Sequence, residues 1–426
     1  MKPVKIVFIG AASSSFGPGC LADAVQCEGI RGSTLVLVDI DKEHLEIITR
    51  FAERLNEEAD AGLKIESTVD RKEALPDADF VFCSIAVERN DLWKLDWQIP
   101  RKYGIKQVLG ENGGPGGLSH TLRNIPILLD ICRDMEELCP DAWLLNFSNP
   151  ESRLCLAISK YTSIKAAGRC HGVFMGIDNV SRITGVAGDD IDVKAAGLNH
   201  FTWMLTINRK STGEDLYPMV REKIDKGTFD LPLTKQLYHK FGLLPNPSDD
   251  HIGEYLSYAG EIVGYEGYDF VSADRAREEL WEKLIAMANR ERSIDEYLAR
   301  KSGEIAFDIV KAMATNENLL IEAVNIPNRG AITNLPSDAV VEVPAIVSAS
   351  GVHALCVGDL PEGIAALCNT QIAVQKLAVE AAVTGSRELA LQALLVDPVV
   401  DNMEAAEKCL DELLQVHAPY LPQFAS

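Results

Sequence analysis

The sequence predicts an α/β protein, a doubly wound parallel sheet followed by an α+β lobe. Three observations carry this. Short, almost continuous apolar runs alternate with longer amphipathic stretches through roughly the first 190 residues. The first run is closed by a turn of small residues and the second by an aspartate. From about Asp190 the alternation stops, and longer extended and helical stretches take over.

Residues 4–9 are a short apolar run and read as a buried parallel strand. Gly10-Ala11-Ala12-Ser13-Ser14-Ser15 follows. Small side chains there let a phosphate approach the backbone, and the next helix would present free amides to it. Gly10, Ala11, Ala12 and Ser13 are therefore candidate dinucleotide contacts. Residues 35–38 read as a second buried strand, ended by Asp39. A carboxylate at that point bonds a ribose hydroxyl and disfavours a 2′-phosphate, which favours NAD over NADP. Residues 80–87 read as a third strand, 142–147 as another and 165–169 as a further one, with a helix over about 117–138. Strands alternating with helices give a Rossmann-like sheet, whose ligands gather at the carboxyl ends of the strands. Glu111, Asn149 and Cys170 all lie at or beyond such ends.

In the second half, residues 193–207 read as extended structure carrying Asn199 and His200. Residues 278–316 contain charged, helix-period sequence, 340–347 a strand and 371–416 mainly amphipathic helix. No repeat, low-complexity segment or flexible linker interrupts the chain. The expected division is 1–190 for a nucleotide-binding domain and 191–426 for a substrate, metal and oligomerisation domain, with the active site between them.

Composition narrows the function. The 426 residues carry 41 basic and 63 acidic side chains, a net charge of −22. Such acidity argues against nucleic acid or an anionic membrane as partner. A small anionic substrate stays open, because a few local arginines can dominate a pocket. Among ten cysteines no Cys-x-x-Cys pair occurs. Cys83, Cys132, Cys139, Cys155, Cys356 and Cys368 lie in apolar contexts and read as small core residues in a reducing compartment. The apolar run after the first lysines is too short for a secretory signal. No run of about 18 apolar residues suggests a membrane span. A cytoplasmic location is expected.

Cys170 and His200 are the strongest chemical signal. They lie in Gly168-Arg169-Cys170-His171-Gly172-Val173 and Gly197-Leu198-Asn199-His200-Phe201. A lone histidine in such a setting is ordinarily a hydrogen-bonded core residue. A thiolate and an imidazole together can hold a divalent transition metal, and two protein ligands leave coordination positions open for chemistry. A dinucleotide site and a metal in one chain point to redox chemistry on a hydroxylated substrate.

Together these residues resemble glycoside hydrolase family 4, the NAD- and metal-dependent glycosidases related to lactate and malate dehydrogenases. The matching stretches are residues 5–13, 110–126, 146–150, 168–173, 197–201 and 325–344, in the family's order. Ala12 departs from the glycine that the family commonly has there. The resemblance implies a route outside the two-carboxylate scheme of most glycosidases. Bound NAD takes hydride from sugar carbon 3, and a base removes the acidified carbon-2 proton. The aglycone leaves carbon 1, water adds, and the hydride returns. It implies Cys170 and His200 as metal ligands, manganese(II) being the usual metal and another divalent transition metal an option. It implies Glu111, ahead of Gly113-Gly114-Pro115-Gly116-Gly117, as general acid, a role that needs a carboxyl of raised pKa. Asn149, Asn199 and His171 become sugar contacts. The base falls in Ser248-Asp249-Asp250-His251-Ile252-Gly253-Glu254-Tyr255, with Asp250 first and Tyr255 second.

A Cys-His-Gly-Val tetrad resembles the family's α-glucuronidase branch, so α-glucuronides are the leading expectation. α-Galacturonidase, α-galactosidase or α-glucosidase activity is the alternative. A uronate carboxylate calls for a bidentate arginine, for which Arg89, Arg153 and Arg329 are the candidates. The acidic total argues against phosphorylated sugars. A homodimer or homotetramer acting on a small α-glycoside is expected. Two other classes stay open: a 2-hydroxy-acid dehydrogenase, which would release NADH and not need Cys170 with His200, and an NAD-binding sensor needing neither Glu111 nor a metal.

Overall fold

Six strands follow one another in parallel: β1 (Lys5–Ile9), β2 (Thr34–Val38), β3 (Lys64–Thr68), β4 (Phe80–Cys83), β5 (Trp143–Asn146) and β6 (Lys165–Gly168). The computed structural model describes residues 2–227, 229–299 and 301–425. The six pair in the order β3-β2-β1-β4-β5-β6, the doubly wound arrangement that opens a ligand crevice beside β1. The apolar runs are unbroken because both faces are covered. Phe8, Leu35, Leu37 and Phe82 fill one core, while Val7, Ile9, Val36 and Val81 fill the other.

The later strands are β7 (Ile191–Leu198), β8 (Phe201–Arg209), β9 (Leu244–Asn246), β10 (Leu319–Pro327), β11 (Val340–Ser348) and β12 (Gly351–Ala354). They pair antiparallel in the order β10-β11-β7-β8-β9, with β12 on β11. Asn325 of β10 sits opposite Gly168 of β6, so the described residues form one 12-stranded sheet.

The structure departs from the sequence expectations in places. β3 was not expected, because Lys64–Thr68 is a polar edge strand without an apolar run. The strand expected over 80–87 stops at Cys83. Beyond it the chain turns beneath Gly10, where a Cβ would stand 2.1 Å from the Ser84 carbonyl oxygen. The helix expected from 117 begins at Gly114, since Pro115 suits a first helical turn. A further helix, Arg89–Lys102, lies ahead of it. Residues 193–207 fall in a hairpin whose turn is Asn199-His200, with Leu198 paired to Phe201. The last expected helix is three, Glu362–Thr384, Arg387–Val396 and Met403–Val416.

Those C-terminal helices return to the first half of the chain. Ala378, Ala382, Leu394 and Leu410 share a buried cluster with Leu118, Leu122 and Ile125. Fully buried Asp96 accepts both Nη groups of Arg123, at 3.0 and 2.5 Å, and stands 2.8 Å from His417 Nε2. Strand direction therefore changes near residue 190, but the packing crosses it. Cys83, Cys132, Cys139, Cys155 and Cys368 are buried, whereas Cys356 is exposed in the loop after β12. Among the described residues no helix is long and apolar enough to cross a membrane.

Candidate functional site

A groove of about 1340 Å³ runs over the carboxyl ends of β1, β2 and β4. Gly10, Ala12, Ser13 and Asp39 line it, as the sequence suggested, together with Ile85, Arg89 and Ser148. Ala11 does not: its side chain is fully buried in the core beneath the turn. Asp39 shapes the turn as well as the wall, accepting the Ala12 N–H at 2.9 Å and the Asp41 N–H at 3.1 Å. Beside it Ile40 is 94% exposed and lines the same groove. Arg71 and Lys72 share the wall, yet both are paired with Asp134.

Arg89 links this groove to Glu111. Its Nη2 donates to Glu111 Oε1 at 2.6 Å, and the Asn149 amide reaches the same oxygen at 3.3 Å. Asn112 Nδ2 donates to Glu111 Oε2 at 3.3 Å. Glu111 is 4% exposed. Burial pushes its carboxyl up, but Arg89 and the imidazoles of His200, His251 and His120 bring the net shift below the ordinary value. The raised pKa expected of an acid is thus absent while Arg89 stays in place.

His200 comes from the other half of the sheet, in the β7–β8 turn, with φ at 59°. A non-glycine residue held in the left-handed region is uncommon and marks an over-determined position. Ligand atoms of Glu111, His200 and His251 all lie within 4.8 Å of one another. Burial, then His251, pushes His200 down to about 3, so it stays neutral, as a metal-binding imidazole must. His251 carries the opposite pressure. Burial lowers it, but its bond to Asp250 at 3.0 Å leaves it raised and Asp250 lowered.

Cys170 lies just past β6, outside that trio. Two buried carboxylates stand behind it. Strand register brings in Glu342 of β11, opposite both Asn325 of β10 and Gly197 of β7, and Glu151 opens the helix Glu151–Tyr161. The Asn199 amide donates to Glu342 at 3.0 Å and to Glu151 at 3.3 Å. Burial, then Glu342, holds Glu151 well above the usual range, and burial pushes Glu342 up to about 7. Burial and both carboxylates push the Cys170 thiol up too, against the Gly172 backbone and the Asn199 side chain, which lower it. Asn199 therefore joins the Cys170 surroundings to the His200 turn.

Not every predicted residue converges here. Arg153 is buried away from the groove, donates to Thr121 at 2.9 Å and lies near Asp397. Arg329 is exposed and lines a different hollow with Lys160 and Lys376. Tyr255 is buried, its hydroxyl donating to the Asn199 carbonyl at 3.3 Å, whereas half of the Asp250 side chain is open. His171 is mostly exposed, 3.2 Å from Glu304. Asn112, His251, Glu254, Glu151 and Glu342 were not singled out by sequence. Their partners lie far along the chain, and the one local signal was that His251 and Glu254 share the Asp250 segment.

The residues present fit a cation and a dinucleotide. The neutral His200 imidazole, the His251 imidazole and the Glu111 carboxylate form a mixed nitrogen and oxygen donor set of the kind a divalent transition metal accepts. Asn112 Oδ1 and Asn199 Oδ1 are buried without partners beside it. The tight turn at Gly10 and the Asp39 wall provide the cradle for a nucleotide.

The family model described as family 4 glycosyl hydrolase matches residues 5–186, and that of its C-terminal domain matches residues 195–400. The chain is 36% identical to an alpha-glucosidase of Erwinia rhapontici over 460 residues, covering 98% of each chain. It is 34% identical to an alpha-galactosidase of Bacillus subtilis (strain 168) over 435 residues, covering 99% of each. In structure it is similar to a 6-phospho-alpha-glucosidase from gut microorganisms solved with NAD and Mn2+. That pair has a TM-score of 0.87 and 25% identity, over 99% of this chain and 100% of the other. A malate dehydrogenase from Plasmodium falciparum shares the fold alone, at a TM-score of 0.54 and 14% identity over 91% of this chain and 99% of the other.

Proposed function

The chain belongs to family 4 of the glycosyl hydrolases, and from that premise we propose that it hydrolyses α-glycosides with NAD and a divalent metal, manganese(II) foremost. One observation carries the reading: Arg89 joins the Asp39 groove to a buried carboxyl, and that carboxyl lies against His200. When bound, the two groups supply a hydride store and a Lewis acid for adjacent sugar hydroxyls. The chain's own residues do the rest. Gly10, Ala12, Ser13 and Asp39 hold the dinucleotide, and Cys170 with His200 holds the metal. Asn149, Asn199 and His171 orient the sugar. Asp250, anionic and half open, removes the carbon-2 proton. Glu111 protonates the departing aglycone oxygen. Sharing a fold with malate dehydrogenase at 14% identity gives the 2-hydroxy-acid dehydrogenase reading no comparable support.

The finer reading is an α-glucuronide. Gly172 after Cys170-His171 supports it, and so does Arg89, the one candidate arginine that faces the groove. A sugar carboxylate that drew Arg89 away from Glu111 would also free Glu111 to hold the proton its role needs. A second reading, a neutral α-glucoside or α-galactoside, is favoured by Arg89 already being engaged with Glu111 and by the relatives' names. The test is a panel of nitrophenyl α-glucuronide, α-galacturonide, α-glucoside and α-galactoside, with NAD, manganese and a thiol reductant. We expect the glucuronide to show the highest kcat/KM and to lose most in Arg89→Ala. A neutral sugar turned over faster would overturn the finer reading, and no hydrolysis of any member would overturn the broader one.

A further inference from the structure

The loop that carries Glu111 is held by a second carboxylate. Glu254 Oε1 accepts the backbone N–H groups of Glu111 at 2.6 Å, Asn112 at 3.0 Å and Gly113 at 3.4 Å. One oxygen therefore accepts from three successive peptide units and fixes them together. Left-handed turns at Gly110, φ 68°, and Gly114, φ 64°, bracket the segment. The contact is close on the backbone side as well: a Cβ on Gly113 would stand 2.3 Å from the Glu254 carbonyl oxygen.

Glu254 is 1% exposed, and its Oε2 is buried without a partner. Burying a carboxylate with one oxygen unsatisfied costs free energy, and an apolar residue would fill the space at less cost. Its place in the chain suggests what the oxygen is for. Glu254 follows the helix Asp249–Gly253, which carries Asp250, and meets Glu111 across 143 residues of sequence. It ties the segment of the proposed base to the loop of the proposed acid.

We propose that Glu254 is a positioning residue for proton donation, setting the height and direction of the Glu111 carboxyl by holding that loop's amides. It does not touch substrate. The proposal rests on Glu111 passing its proton to the glycosidic oxygen as the bond from that oxygen to carbon 1 breaks. A loop displaced by a fraction of an ångström then matters most where the departing oxygen is strongly basic.

The experiment compares kcat/KM for nitrophenyl and methyl α-glycosides of one sugar in the holoenzyme. E111Q is expected to raise the nitrophenyl-to-methyl ratio, because only the methyl aglycone needs the acid. E254A and E254D withdraw the oxygen from the three amides. Each should raise the ratio about tenfold or more, general acid assistance being worth roughly 10²–10⁴. E254Q keeps an acceptor and should stay close to the native ratio. E254D carries the test where E254A does not fold. A fall shared equally by both substrates in E254D, with E111Q still raising the ratio, overturns the proposal and leaves Glu254 a structural residue. An unchanged ratio in E111Q overturns the role of Glu111 instead, and the proposal falls with it.

Discussion

Cys170 and His200, the proposed metal ligands, come from opposite halves of the sheet, one just past β6 and the other in the β7–β8 turn. Neither residue is poised for its role by local sequence. His200 is kept neutral by burial and by His251, and Cys170 is kept protonated by burial and two carboxylates. A divalent cation would reverse the balance at Cys170, because a coordinating thiol gives up its proton. Cys170→Ser and His200→Ala should each lower turnover by at least about a hundredfold while melting temperature stays near native, a loss typical of removing a group that acts in the transition state. Chelation of the native protein should do the same, and added manganese should restore it. Full activity in a metal-free sample would contradict the assignment. The sequence singles out these two residues because each stands in a short motif at a strand end. It does not single out His251, Glu254 and Glu342, because their meaning lies in partners elsewhere. The bond between Glu254 and Glu111 spans 143 residues, and no local pattern announces it.

At the scale of elements, the buried parallel strands were readable and the polar edge strand was not. β1, β2 and β4 are apolar on both faces and announce themselves by composition. β3 is a polar edge strand, and the helix Arg89–Lys102 contains Pro100, so neither carries a clean period. The turn after β1, read from its small side chains as the cofactor's approach, has a second determinant of its shape. Gly10 has φ 83° and sits directly over the Ser84 carbonyl, so the turn's shape depends on packing against the end of β4 as well as on small side chains. Gly10→Ala should destabilise the fold by more than about 1 kcal/mol, since alanine is strained at positive φ. The same change should weaken NAD about tenfold or more by moving the turn, tenfold corresponding to 1.4 kcal/mol. Thermal unfolding and NAD titration check both, and native values in each would contradict the packing argument.

Over the whole molecule, one sheet changes from parallel to antiparallel where β6 meets β10, and the site lies along that seam. The parallel half supplies the nucleotide groove, the loops beyond it supply Glu111 and Asn149, and the antiparallel half supplies Asn199 and His200. The C-terminal helices lock the halves together by packing on the helix Gly114–Leu138, the element that follows the Glu111 loop. This arrangement suits a reaction in which a redox step and a bond cleavage share one bound sugar. An oxocarbenium route breaks only the bond at carbon 1, whereas the route proposed here also breaks carbon–hydrogen bonds at carbons 2 and 3. Hydrolysis in deuterium oxide, followed by magnetic resonance of the released sugar, separates them. With Asp250 exchanging its proton with solvent, deuterium should appear at carbon 2, NAD should be needed only in catalytic amounts, and Asp250→Asn should suppress exchange along with hydrolysis. A product whose carbon 2 keeps the substrate's own hydrogen throughout, with no isotope effect from substrate deuterated at carbon 2 or 3, would contradict the account.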